Sequence, residues 1–246
     1  AKLTPDDIYH LSKLAIMEYL TSGITANADM YLTPDTMIQA SEDCGFRTTV
    51  IGAVNDFTQS VKEVENWYEK YHKEDGLTSY ELGFHAEYTT KREILEGISE
   101  LSKKYHAPIY THNSESASEV AQCVERTGMT PTVYMEQLGL FEYGGGLYHC
   151  VHMSEEDLDV VKRHQISVIT NPASNLKLAS GIAPIEEMLK RNIDLAIGTD
   201  GPASNNCLDM FREMFLVTAL AKYRENDASA VDAAEVLKMA TTGGAK

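Results

Sequence analysis

Two hydrophobic periods take turns along this chain. Short runs of β-branched and aromatic residues are separated by longer stretches in which apolar positions recur three or four residues apart, the periods of strand and helix respectively. Thr4-Pro5-Asp6-Asp7 opens the first helical stretch with a cap residue, a proline at the first helical position and acids in the first turn. Ile8, Leu11, Leu14, Ala15 and Leu20 fall on one face of it, and Gly23 ends it. A strand follows over 24–29, a helix from Thr33-Pro34, a β-rich run over 48–54 and a helix over 61–72. The alternation continues with a strand over 80–85, a helix over 91–105, a strand over 108–112 and a helix from Ser114. A longer connection through Gly144-Gly145-Gly146 leads to a strand ending at His149, and Ser154-Glu155-Glu156-Asp157 is a capping box for the next helix. Strands over 166–169 and 193–197 flank a helix over 185–191, and two helices, over 208–223 and 228–240, close the chain.

Strands separated by helices imply a parallel sheet with right-handed crossovers. Seven strands are expected, ending near residues 29, 54, 85, 112, 149, 170 and 197. At 246 residues the chain approaches the roughly 250 of one (β/α)8 barrel. The order is complete except for a strand ahead of residue 1. The expectation is therefore an α/β fold, a (β/α)8 TIM-type barrel lacking its first strand, with 1–246 a single catalytic domain cut from a longer protein.

The strand ends carry the chemistry. Gly198-Thr199-Asp200-Gly201 closes an apolar run with a carboxylate in a glycine-flanked turn. The runs ending at His85, His112 and His149 deliver histidines in the same way. Polar side chains at the carboxyl ends of separate parallel strands converge on one site. Asp29 ends the first visible strand and reads as a structural carboxylate at the barrel rim. The loop from Asn171 to Leu178 reads as self-satisfying Asx turns that also line the pocket mouth. Glu87 is balanced between the site and the scaffold. His10, His72, His106 and His164 read as surface residues, and Tyr68, Tyr71 and Tyr80 as packing.

Composition narrows the partners. A net charge of −16 repels nucleic acid and anionic membranes. Cys44, Cys123, Cys150 and Cys207 form no paired motif and suit reduced thiols in a cytoplasmic protein. No run approaches the ~18 apolar residues of a membrane span. No G-x-S-x-G elbow is present, which sets aside a serine hydrolase.

Asp29-Met30-Tyr31, His112-Asn113-Ser114-Glu115, His149-Cys150-Val151-His152, the run from Asn171 to Leu178 and the run from Gly198 to Asn206 together resemble the amidohydrolase superfamily. Within it the chain is similar to the cytosine-deaminase/chlorohydrolase-like branch that includes the 5′-methylthioadenosine/S-adenosylhomocysteine deaminases. The resemblance implies hydrolytic deamination of a purine-type or related heterocycle, with dechlorination the neighbouring chemistry. It implies a divalent metal, zinc by the family's habit, with iron and manganese open. His112 and Asp200 would be metal ligands. Asp200 would also take the proton of the attacking water, Glu115 would move protons on the substrate ring, and His149 would polarise the substrate. His85 and Ser204 would contact the ligand. The family's β-sandwich is absent, and the open edges left by the missing strand suggest a homodimer or a domain swap.

Two departures accompany the resemblance. The family's His-x-His ligands occur nowhere in the chain. Ile51 stands before Gly52, where members of the branch often carry an arginine, which weighs against S-adenosylhomocysteine as the substrate. Two alternatives follow: a barrel fragment that binds a ligand or partner without metal, and a metal-independent lyase or isomerase using His85, His149 and Asp200.

Overall fold

A computed structural model describes residues 3–73 and 75–245. Seven strands form one all-parallel sheet in sequence order: β1 (Ala26–Met30), β2 (Arg47–Ile51), β3 (Thr78–Ala86), β4 (Ile109–Asn113), β5 (Gly145–His149), β6 (Ser167–Thr170) and β7 (Leu195–Ile197). The helices between them are α1 (Pro5–Thr21), α2 (Pro34–Cys44), α3 (Val61–Tyr71), α4 (Arg92–Tyr105), α5 (Ala117–Thr127), α6 (Pro131–Gln137), α7 (Glu155–Arg163), α8 (Pro172–Lys177) and α9 (Ile185–Lys190). After β7 come α10 (Pro202–Asn205), α11 (Met210–Glu225) and α12 (Ala233–Lys238). Each crossover carries a helix against the outside of the sheet, so the sheet curls as an incomplete barrel.

Period 2 explains where the core sits. Val50, Tyr80, Leu82, Phe84, Ile109, Leu147, Val168, Leu195 and Ile197 point outward and are buried under the helices with Val64, Leu95, Ile98, Val161 and Met188. The alternate positions face the lumen and are only half-buried at Thr49, Glu81, His85, Tyr110, His112 and Ile169. The barrel's stability thus comes from the helix–sheet layer, and its lumen is free to carry polar groups.

Several expectations are corrected. Leu11, Leu14 and Leu20 do not face the core: each is about half exposed, and α1 buries Ile8, Ile16 and Tyr19 instead. The second strand ends at Ile51 rather than at residue 54, and Val54 makes an isolated bridge to Phe84. The helix expected from Ser114 begins two residues later, because Ser116 and Glu119 form the capping box. The connection before Gly144 contains α6, started by Pro131. The 171–178 loop is the helix α8, again with proline in its first turn. The last helix is shorter, with Asp232 as its cap.

β1 and β7 do not pair, so the barrel has a seam. Ser22 Oγ donates to the Leu208 carbonyl, the Met210 N–H to Ser22 O at 3.2 Å and the Leu208 N–H to Glu18 at 2.7 Å. A small second core of Ile16, Tyr19, Ile24, Phe46 and Leu208 backs these contacts. The two flanks of the sheet are held near each other by loop and helix-end hydrogen bonds rather than by a strand.

Candidate active site

The strand ends converge. His112 stacks on His149 at 5.5 Å between ring centroids and lies 4.9 Å from His85. Each ring has a hydrogen-bond partner at Nδ1. His112 Nδ1 donates to the His85 carbonyl at 2.6 Å, and His149 Nδ1 to Asn175 Oδ1 at 2.8 Å. His85 Nδ1 lies 2.9 Å from Thr89 Oγ1, a hydroxyl that can give or take the hydrogen, and His149 Nδ1 also has Asn171 Nδ2 at 3.5 Å. His112 therefore keeps Nε2 unprotonated when neutral, the form in which imidazole ligates a metal or accepts a proton. Burial beside His149 and His85 pushes the His112 pKa down to about 3, and burial lowers that of His85 too.

The acids are held as firmly. Asp200 Oδ2 accepts from Ser174 Oγ at 2.5 Å, and its Oδ1 accepts from the Gly201 N–H. Glu115 accepts from Ser180 Oγ at 3.1 Å and faces His149 Nε2 at 3.8 Å. The turn that presents Glu115 is clamped by Glu119, a buried carboxylate that accepts the N–H groups of Ser114, Glu115 and Ser116. Burial raises the pKa of Glu119 and those three donors oppose the rise. Ser114, His149, Cys150 and Asp200 all take positive φ, a left-handed backbone that costs each about 1–2 kcal/mol and is tolerated where it aims a side chain.

A cleft of about 420 Å³ opens beside His85 and His112, lined also by Met30, Tyr31, Leu32 and Phe57; Glu115, His149 and Asp200 are not among the residues lining it. Ser204 lies on α10, half-buried, and is not among the residues lining that cleft. Glu87 is scaffold: it is buried and takes both arms of Arg126 at 3.0 and 2.8 Å. Residues 171–175 are buried behind the site and do not line its mouth. Two of the histidines read as surface are tied down, His72 to Glu81 at 3.1 Å and His164 to Glu136 at 2.8 Å.

Three features carry more than their reading in the sequence. Tyr148, next to His149, buries a hydroxyl with no partner 5.3 Å, ring to ring, from His112. Asp29 is the second: burial and the charge of Asp200 push its pKa up to about 6. Glu119 is the third, and the Ser116-x-x-Glu119 spacing was the signal for it. The donors fit a divalent ion in kind: His112 offers Nε2 with Nδ1 locked, and Asp200 a carboxylate. No group of three His, Cys, Asp or Glu is arranged to hold one among the described residues.

Comparison with known proteins agrees with this geometry. Residues 2–246 match the amidohydrolase family model. A 5-methylthioadenosine/S-adenosylhomocysteine deaminase of Caldanaerobacter subterraneus is 40% identical over all of this chain and 58% of its own length. A 5′-deoxyadenosine deaminase of Methanococcus maripaludis is 35% identical over all of this chain and 60% of its own. The crystal structure of an adenosine deaminase from Xanthomonas campestris with bound zinc superposes with a TM-score of 0.94 at 34% identity, covering 99% of this chain and 57% of that one. The chain thus spans under two thirds of the length of these relatives.

Proposed function

This chain belongs to the amidohydrolase family, and on that premise we propose that it carries the catalytic barrel of a metal-dependent deaminase acting on a purine-type nucleoside. The observation that carries the reading is the convergence of strand-end side chains: His112 stacks on His149 at 5.5 Å, His85 lies 4.9 Å from His112, and His149 Nε2 faces Glu115 at 3.8 Å. Relatives named for deaminating methylthioadenosine, deoxyadenosine and adenosine support the substrate class.

His112 and Asp200 are the residues that would hold the metal, zinc by analogy with the bound ion of the similar structure. A bound divalent ion supplies Lewis acidity, bringing the ionisation of water down to about pH 7. Asp200, oriented by Ser174 and Gly201, takes the proton of the attacking water. Glu115 delivers a proton to the substrate ring and recovers one from the added hydroxyl. The proton held by Asp200 passes to the departing amino group, so water and an amino group become a carbonyl and NH3. His149 Nε2 is placed to hydrogen-bond the oxygen that adds to the ring, with His85 on the substrate side of the cleft.

The test is ammonia release from adenosine-type nucleosides by the zinc-loaded protein, wild type against Glu115→Gln and Asp200→Asn. Each substitution is expected to lower kcat by at least ~10²-fold. Turnover unchanged in both would end the reading. The second reading, a barrel that binds ligand without metal, rests on the lack of a three-donor group among the described residues. Elemental analysis separates the two: about one equivalent of zinc that is lost in His112→Ala supports the enzyme, and no bound metal in either protein supports the binder.

A further inference from the structure

The strongest unassigned feature is what stands behind the candidate catalytic side chains. Glu115, His149 and Asp200 come from the ends of three different strands, yet each takes a hydrogen-bond partner from one ten-residue stretch, 171–180. Ser174 Oγ donates to Asp200 Oδ2 at 2.5 Å. Asn175 Oδ1 accepts from His149 Nδ1 at 2.8 Å. Ser180 Oγ donates to Glu115 Oε1 at 3.1 Å, and its carbonyl accepts from His152 Nε2 at 2.7 Å.

That stretch is itself anchored away from the site. Ser174 and Asn175 are buried, and the Ser180 N–H closes back onto the Asn175 carbonyl at 2.8 Å. The first turn of α8 is held by Glu213, a fully buried carboxylate on α11 that accepts the Ala173 N–H at 3.0 Å. The other oxygen of Glu213 accepts from Asn205 Nδ2 at 2.9 Å, and that same nitrogen donates to the Thr199 carbonyl at 2.6 Å, one residue before Asp200. Lys177 Nζ adds a bond to the Ala203 carbonyl at 2.7 Å. Rigidity is thus passed from α11 through α8 to both sides of the site.

We propose that Ser174, Asn175 and Ser180 are positioning residues that set, from a single helix and its exit turn, the carboxylate of Asp200, the tautomer of His149 and the carboxylate of Glu115. Asn175 is the central member: a side-chain carbonyl at Nδ1 keeps the proton there and leaves Nε2 open toward Glu115. A hydroxyl donated to one oxygen of a carboxylate restricts its rotation, which holds the other face for the reaction. The proposal rests on the deaminase reading for its kinetic consequence and on the hydrogen-bond geometry alone for its spectroscopic one.

The experiment uses the zinc-loaded full chain labelled with ¹⁵N-histidine, with steady-state kinetics on an adenosine-type nucleoside beside it. Wild-type His149, identified by its loss in His149→Gln, is expected to carry its proton on Nδ1. In Asn175→Ala that preference is lost and kcat falls by ~10–100-fold while KM changes little. Asn175→Asp keeps the acceptor and restores the Nδ1–H tautomer. Ser174→Ala and Ser180→Ala each lower kcat by ~10-fold at constant KM. A merely structural role predicts a lower melting temperature with kcat of the folded protein unchanged. The proposal is overturned by an Nε2-protonated His149 in wild type, or by kcat unchanged in all three truncations. If no nucleoside is turned over, the function is wrong and the tautomer of Asn175→Ala alone decides. If Asn175→Ala does not fold, Asn175→Asp and the two serine variants decide.

Discussion

At Glu119 two carboxylate oxygens take the amide hydrogens of three successive residues, inside the protein, where water cannot substitute. Removing an acceptor there leaves buried donors unpaired, and each costs about 1–3 kcal/mol. Glu119→Ala is therefore expected to lose roughly 2–4 kcal/mol of unfolding free energy in urea titration, and an unchanged midpoint would refute the clamp. His112 and Asp29 set opposing pH dependences in metal-free protein. The His112 pKa falls from 6.5 unfolded to about 3 folded, so its contribution is full above pH 6.5 and is lost as pH drops toward 3. The Asp29 pKa rises from 3.8 to about 6, so its contribution is present below 3.8 and lost as pH climbs through 6. Asp29→Asn removes the second loss and is expected to stabilise metal-free protein near pH 8 by ~1–3 kcal/mol, with no gain near pH 4. Equal effects at both pH values would show that Asp29 titrates normally. That His112, Glu115, His149 and Asp200 stand at strand ends was legible because each sits in a short motif that closes an apolar run. Tyr148 was not, because an aromatic residue in a strand reads as packing until its hydroxyl is seen to lack a partner.

Elements were legible wherever a local rule decides them. Caps at Thr4 and Ser154 and prolines at the starts of α1 and α2 marked helix starts directly, whereas the Ser116 cap and the prolines that open α6, α8 and α10 were passed over. Short helices were hard: α8 has six residues, and a proline followed by Ser and Asn is equally at home in an Asx-turn loop. Gly145 shows how an element can hang on one backbone. Its φ is +142°, and a Cβ there would lie 1.9 Å from the Ile109 carbonyl oxygen across the β4–β5 pair. Gly145→Ala should cost at least ~3 kcal/mol, read as a large drop in melting temperature, since neither strand can retreat without breaking the ladder. A melting temperature like that of wild type would mean that β5 enters the sheet differently.

For the whole molecule the seam governs behaviour. β1 and β7 are unpaired with each other, and Leu14, Met17 and Leu20 on α1 and Phe211 and Phe215 on α11 are each 57–69% exposed. The free edge of β1 and the exposed apolar side chains favour association, against which a charge of −16 works by repulsion. The 246-residue chain is expected to self-associate, increasingly so at high salt, in sedimentation velocity. Leu14→Lys with Phe215→Lys should shift it toward monomer. A monomer at every salt and concentration would show that the seam and these faces are inert. Among the described residues no helix is long and apolar enough to cross a membrane.

The amino-acid sequence by itself determined the number and order of strands, the parallel sheet, and which side chains stand at strand ends, because periodicity, caps and turn residues act over a few neighbouring positions. Only the tertiary structure decided which face of α1 is buried, that 171–180 stands behind the site, and which atom meets the Nδ1 of each histidine. Those outcomes depend on partners far apart in the chain, such as Asn175 with His149 and Glu213 with Ala173. A hydrogen bond between distant residues leaves no period in the sequence, since its geometry exists only once the sheet has curled.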